Sequence, residues 1–272
     1  MADNPLEDLA EGGETRGAPR DGSHASGASA PAASQDPPSA ASSATDPLRT
    51  EPVDVHPPTR LERIVYRAIW MLAFAVAKVW FRLELIGREK IPERQPFVLA
   101  PVHRSNLDFL LVALLTRRRM RYMTKASVWK SRALGRLAAL LGGFPVHRGT
   151  ADRAALRTSL QVIDHGEPVV LFPEGTRRSG AVVEAVFDGP AYVASRAEVP
   201  ILPVGIGGSE HAMPRGARWI RPRKVTVVVG DPLGPGPKSS NGRVPRRVTR
   251  ELTDKLRDEV QELYDEAQTL AG

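Results

Sequence analysis

Val102-His103-Arg104-Ser105-Asn106-Leu107-Asp108 sets a histidine five residues before an aspartate. That pair suits a general base. A carboxylate holds one ring nitrogen and fixes the tautomer, and the other nitrogen takes a proton. It is the His–Asp half of a hydrolase triad, with a substrate hydroxyl in place of the serine. Two later segments add cations. Gly143-Phe144-Pro145-Val146-His147-Arg148 ends in Arg148, and Phe172-Pro173-Glu174-Gly175-Thr176-Arg177 supplies Arg177. A planar guanidinium holds a phosphate through two hydrogen bonds. Gly175 lets the backbone approach an anion or take positive φ. Glu174 is expected to orient Arg177 or to meet a substrate hydroxyl. A base with an orienting carboxylate, plus arginines for an anion, describes a site acting on a phosphorylated alcohol.

Each segment also has a purely structural reading. Ser105-x-x-Asp108 ahead of an apolar run is a helix capping box. Phe172 to Arg177 alone is also a surface turn with solvated charges. Ser105 lacks the glycine-flanked elbow of a serine nucleophile. His147, His165 and His211 have no metal-ligand spacing, so neither a metal nor another cofactor is expected.

These residues need a scaffold. Strands are expected at 81–86, 97–100, 121–125, 144–147, 169–172, 201–206 and 224–229. Helices are expected at 107–115, 128–141, 151–164 and 190–196. A C-terminal amphipathic helix carries Val248, Leu252, Leu256, Val260, Leu263 and Ala267 at helical spacing. The alternation predicts a layered α/β domain with a largely parallel sheet. The run at 169–172 is continuously apolar, as in a sheet covered on both faces. Ligands in such sheets sit at the carboxyl ends of strands. His103, Arg148 and Glu174 to Arg178 all follow strands, so one rim should gather them.

Residues 1–57 are rich in Ala, Ser, Pro, Gly and Asp, and are expected to be a disordered acidic tail. The tail holds ten acidic and three basic residues through position 55, which leaves 35 basic and 21 acidic residues, net +14, for the rest. A surface so basic fits anionic lipid or phosphorylated substrates. No nucleic-acid signature accompanies it, and aromatics to stack on bases are few. Cysteine is absent, which excludes disulfides and acyl-cysteine intermediates. No secretory signal is visible, so the cytoplasmic side is the expected location.

Residues 58–82 are expected to form an amphipathic, membrane-associating helix. Its centre, 68–77, is wholly apolar, with Arg63 and Arg67 at one end and Lys78 and Arg82 at the other. Ten helical residues cover about 15 Å, half of a hydrocarbon core. A helix dipping into one leaflet fits, with Trp70 and Trp80 at the interface. A buried core helix is the alternative. Residues 83–272 are read as the α/β domain proper.

Taken together and in order, the segments resemble the glycerolipid acyltransferase family, which includes the bacterial 1-acylglycerol-3-phosphate acyltransferases. The resemblance covers about 61–232. His103 and Asp108 match its His-x4-Asp block, Arg148 ends its second block, and Phe172 to Arg177 match its third in full. Val199-Pro200-Ile201-Leu202-Pro203-Val204 matches a fourth, an apolar strand carrying a proline. The resemblance implies that His103 deprotonates an acceptor hydroxyl, which attacks an acyl thioester, and that Asp108 orients His103. It implies a substrate-binding set of Arg148, Glu174, Gly175, Thr176 and Arg177, with Lys125 adding to the phosphate site and Pro203 from the fourth block. Acyl-CoA or acyl carrier protein would be the donor, a phosphorylated glycerolipid the acceptor and phosphatidate the product. An anionic membrane surface would be the workplace, with the protein peripheral or monotopic on its cytoplasmic face.

Two positions depart from the pattern. Val102 stands where enzymes acting on 1-acylglycerol 3-phosphate often have Asn, and His103-Arg104-Ser105 is closer to the block of glycerol-3-phosphate acyltransferases. Phe187-Asp188-Gly189 puts an acid where relatives often have a basic residue. The acceptors left open are 1-acylglycerol 3-phosphate, glycerol 3-phosphate and another lysophospholipid. A non-catalytic lipid-binding protein is the rival from another class.

Overall fold

Short aliphatic runs build one seven-stranded sheet. A computed structural model describes residues 59–146, 153–238 and 243–272, so the expected tail lies outside the described residues. The strands are β1 (Glu84–Ile86), β2 (Val98–Pro101), β3 (Arg121–Lys125), β4 (Gly143–Val146), β5 (Val169–Val170), β6 (Ile201–Gly207) and β7 (Thr226–Val229). Their order is β1-β7-β6-β2-β5-β3-β4. From β6 through β4 every pair is parallel, with Val98 opposite both Val169 and Ile201. Every residue of β2, β5, β6 and β7 is buried, the pattern of strands covered on both faces.

β7 departs from the parallel rule. It runs antiparallel to β6 and parallel to β1, so these two strands point against the other five. Their reversed direction has a consequence for α1 (Arg60–Trp80), which feeds β1. The end of α1 arrives at the same rim as the carboxyl ends of β2, β5 and β6.

The helices follow the expected order: α2 (Asp108–Ala113), α3 (Arg132–Leu140), α4 (Arg153–Asp164), α5 (Gly189–Ala197), α6 (Ser209–Ala212) and α7 (Arg246–Ala271). The helix expected at 128–141 is broken. A 3₁₀ turn at Ala126–Lys130 precedes α3, and Ser131 caps α3 by accepting from Leu134 N. The strand expected at 169–172 is shortened, because the chain turns away at Pro173, which has no N–H to donate. α6 and a 3₁₀ turn at Arg88–Lys90 carried no signal that the periodicity could detect.

Two glycines on β6 let α7 lie against the sheet. A Cβ on Gly205 would sit 2.0 Å from the Leu263 carbonyl oxygen, and one on Gly207 2.1 Å from that of Ala267. No side chain fits there, so Gly205 and Gly207 set the helix–sheet distance.

α1 is both core and surface. Thr59 and Glu62 form a reciprocal capping box at its start. Tyr66, Trp70 and Ala77 are buried on one face. The Trp70 Nε1–H donates to the Ala113 carbonyl at 3.0 Å, and the Tyr66 hydroxyl to that of Arg118 at 3.4 Å. Burial pushes the Tyr66 phenol up to about 12, so it remains a neutral donor. The other face leaves Leu61, Ile64, Met71, Leu72, Val76 and Val79 exposed. The buried-core reading thus describes one face, and the other is apolar and exposed. Among the described residues, no helix is long and apolar enough to cross a membrane.

Candidate active site

The chain leaves β2 at Pro101, and Val102 N still donates to the Val204 carbonyl of β6. His103 is the first side chain beyond that ladder. Asp108 opens α2 and is completely buried. His103 Nδ1 lies 2.9 Å from Asp108 Oδ2. An ionised carboxylate only accepts, so the network assigns the proton to Nδ1 and leaves Nε2 with its lone pair. The same Oδ2 accepts from the backbone N–H of Arg104 and of Ser105, each at 2.7 Å. Oδ1 accepts from the Ser209 hydroxyl at 2.7 Å. Half of the expected capping box is present: Asp108 accepts from Ser105 N, but the Ser105 hydroxyl accepts from Leu107 N at 3.3 Å and not from Asp108 N, and α2 has no side-chain cap.

The imidazole stands in an apolar enclosure. The Phe172 ring packs on it at 4.1 Å between centroids, and Phe109 meets it edge-on at 5.2 Å. These contacts fix the ring plane that the hydrogen bond to Asp108 alone would leave free to rock.

The third segment reaches this loop from β5, the strand paired directly with β2. Glu174 does not orient Arg177, as the sequence led us to expect. It is fully buried, and its two oxygens accept from Arg104 Nη1 at 2.6 and 2.7 Å. Oε2 also accepts from the His103 backbone N–H at 2.9 Å. Both oxygens are thus held from inside the protein, Oε1 by Arg104 and Oε2 by Arg104 and His103. Arg104 is closed in further by the Gly180 and Val182 carbonyls and by the Tyr264 ring at 4.9 Å. Burial works against the Arg104 charge, but the hydrogen bond and charge of Glu174 outweigh it and hold the guanidinium above its ordinary range. A second tie runs from Arg178 N to the His103 carbonyl at 2.9 Å.

Gly175 turns the chain with φ +66°, its N–H bonded to the Phe172 carbonyl. The turn exposes Thr176 and leaves Arg177 half-buried, without an ion pair among the described residues. Of the expected cations, Arg177 is the one whose side chain is described, and it directly precedes Arg178, whose N–H bonds the His103 carbonyl. Lys125 ends β3 and so lies at the same rim, but its side chain is outside the described residues, as is all of Arg148. Pro203 is buried in β6 opposite Ala100, which precedes His103 by three residues.

Three positions escaped the sequence reading. Arg104 was quoted only as a neighbour of His103. Ser209 follows Gly207-Gly208 at a strand end, a signal of a rim position that was not used. Tyr264 is seen from sequence only as part of an amphipathic helix. Beside Arg104 lies a cavity of about 400 Å³, lined also by Arg178, His211, Arg215 and Tyr264. A larger one, about 780 Å³, lies at the opposite end of the sheet, lined by Arg67, Arg88, Arg117, Gly166 and Pro168 among others. It shares no residue with the His103 and Glu174 loops, and size alone does not make it the site of chemistry.

Known proteins resemble this chain over the region that carries both loops. The Acyltransferase family model matches residues 82–207, which includes both loops. A 1-acyl-sn-glycerol-3-phosphate acyltransferase of Chlamydomonas reinhardtii is 30% identical over 182 residues, 65% of this chain and 53% of that protein. One from Bacillus subtilis is 24% identical, over 56% of this chain and 73% of its own length. The chain thus spans about half the length of the algal relative. The crystal structure of the 1-acyl-sn-glycerophosphate acyltransferase PlsC of Thermotoga maritima shares the fold, with a TM-score of 0.59 and 23% identity over 75% of this chain and 83% of that one.

Proposed function

We propose that residues 82–207, which match the Acyltransferase family model, form an acyltransferase domain, and that this chain moves an acyl group from a thioester to the hydroxyl of 1-acylglycerol 3-phosphate, giving phosphatidate. The observation that carries this reading is the 2.9 Å contact between His103 Nδ1 and a carboxylate of Asp108 that already accepts two backbone N–H groups.

The chemistry follows from that contact. His103 Nε2 accepts the proton of the acceptor hydroxyl as its oxygen attacks the thioester carbonyl carbon. The new C–O bond gives a tetrahedral oxyanion. Its collapse breaks the C–S bond, and the imidazolium returns the proton to the departing thiolate. Asp108 stabilises the imidazolium while it lasts, and Ser209 steadies Asp108. Arg177 binds the acceptor phosphate, joined by Arg148 and Lys125, while Gly175 and Thr176 shape the turn that carries it. Glu174 and Arg104 act through the backbone of His103 and touch no substrate.

The donor is acyl-CoA or acyl carrier protein. The protein works as a peripheral or monotopic enzyme on the face of the membrane that holds such donors, the cytoplasmic one. The exposed apolar face of α1 supports this attachment. Val102, whose difference from Asn raised glycerol 3-phosphate as an acceptor, is fully buried beneath the rim. Its identity therefore bears on packing more than on the acceptor. The test is a panel of glycerol 3-phosphate, 1-acylglycerol 3-phosphate and other lysophospholipids with one acyl-CoA. Preferential conversion of 1-acylglycerol 3-phosphate is expected; transfer to none of them rejects the reading.

A further inference from the structure

α1 is not the only exposed apolar element at the catalytic rim. Between α6 and β7 the chain reads Met213-Pro214-Arg215-Gly216-Ala217-Arg218-Trp219-Ile220-Arg221-Pro222-Arg223-Lys224. Trp219 is 83% exposed and Ile220 43%. The segment contains no acidic residue. Lys224 is bound to Glu84 and to the Leu270 carbonyl. Arg215, Arg218, Arg221 and Arg223 are exposed and make no ion pair among the described residues.

The loop is fastened where it matters. It leaves from the carboxyl end of β6, the rim that carries His103. The Ser105 hydroxyl, in the catalytic loop, donates to the Met213 carbonyl at 3.0 Å. Arg221 N closes the loop on the Ala212 carbonyl at 2.8 Å. Its far end meets α1, for Val225 N donates to the Phe81 carbonyl at 3.0 Å. There α1 ends with Val79 and Trp80 exposed, 81% and 47%.

We propose that the 213–224 loop is a second membrane-docking element, in which Trp219 and Ile220 enter the interface of an anionic bilayer and the four arginines bind its headgroups. A tryptophan prefers the headgroup level to bulk water. Arginines beside it gain from the negative surface potential of an anionic leaflet. No other occupant fits an apolar tip ringed by cations as well. Two attachment points at one rim, this loop and the end of α1, set the orientation of the protein as well as its affinity. They turn the His103 rim toward the lipid, where a lipid acceptor is presented. The inference rests on the acyltransferase reading only for the purpose of that orientation.

The test uses the full chain and vesicles of phosphatidylglycerol with phosphatidylcholine, against phosphatidylcholine alone. The double variant Trp219→Ser/Ile220→Ser should bind the mixed vesicles about tenfold more weakly, with α1 supplying what remains. Arg218→Gln/Arg221→Gln should lose most of the preference for phosphatidylglycerol. Because the chain has no cysteine, Ile220→Cys carries one environment-sensitive label. Its emission should shift to the blue on the mixed vesicles, whereas a label at Glu93→Cys should not respond. Unchanged binding by the double variant, or an unresponsive label at 220, overturns the proposal. Transfer to 1-acylglycerol 3-phosphate below its micellar concentration is measured in parallel, and the double variant should retain the parent's rate. Absence of transfer in the parent would reject the catalytic reading alone; the label at 220 would still decide the docking.

Discussion

Arg104 and Glu174 lie 70 residues apart in the chain, yet Arg104 Nη1 donates to both carboxylate oxygens of Glu174, at 2.6 and 2.7 Å. Almost nothing of either side chain reaches solvent. The pair locks the loop after β2 to the loop after β5, and a third bond from the His103 N–H to Glu174 puts His103 inside the lock. The sheet order makes this possible, because β2 and β5 are neighbours.

Breaking that pair should be costly. Glu174→Ala leaves a buried guanidinium uncompensated, and the expected loss is about 3–5 kcal/mol of unfolding free energy. Arg104→Met in the same chain should recover much of it, since the buried charge is then gone. Urea unfolding of the two singles and the double checks this. A loss under 1 kcal/mol for Glu174→Ala would mean that the lock contributes little.

Arg177 is expected to act on the acceptor alone. Arg177→Ala removes a charge-assisted contact of about 1.5–3 kcal/mol, roughly ten- to hundredfold in KM for the phosphorylated acceptor. KM for the acyl thioester should not move. Arg177→Lys should restore only part, because an ammonium cannot bind a phosphate through a planar fork. Steady-state kinetics with each substrate varied in turn gives the answer. An unchanged acceptor KM would remove the phosphate assignment.

Ser209 is a positioning residue, acting on His103 through Asp108. Ser209→Ala removes the 2.7 Å bond to Oδ1. The expected effect is a drop in kcat of roughly tenfold, on the scale of one charge-assisted hydrogen bond, at constant KM. Ser209→Thr should retain most of the activity, since the hydroxyl survives. A purely structural role would lower stability without this division between kcat and KM.

Gly175 answers a backbone demand. At φ +66° any side chain other than glycine is strained, by about 1 kcal/mol. A Cβ there would also meet the Phe187 ring at 2.7 Å. Phe187 is exposed and able to swing away, so the φ term should dominate. Gly175→Ala is therefore expected to cost about 1 kcal/mol in urea unfolding, and Gly175→Asn less, because Asn tolerates this region. Equal stability of all three would show that the turn is not under strain.

Much of the scaffold was legible because buried strands announce themselves as continuous aliphatic runs. Val98-Leu99 and Ile201-Leu202 could hardly lie elsewhere than in a sheet covered on both faces. The His103–Asp108 pair was legible because it is local, five residues apart. Partnership at long range was not. Nothing near Glu174 in the chain names Arg104 as its partner, so a carboxylate in a loop beside Arg177 was naturally read as facing that arginine or a substrate. The burial of Pro203 within β6 was not legible either, since a motif position carries no information on which face of a strand is covered. The reversal of β7 was hidden as well, since the 18 residues between β6 and β7 are long enough for a crossover. The centre of α1, 68–77, is apolar on every side, so its periodicity could not say which face packs and which stays open.

One measurement bears most directly on the proposed chemistry: the rate of phosphatidate formation from acyl-CoA and 1-acylglycerol 3-phosphate, by the parent chain and by His103→Ala. Loss of the base should lower the rate by at least about 10²–10⁴-fold, while binding to anionic vesicles and the urea midpoint stay near those of the parent. A His103→Ala chain that forms phosphatidate at the parent's rate would contradict the assignment of His103 as the base.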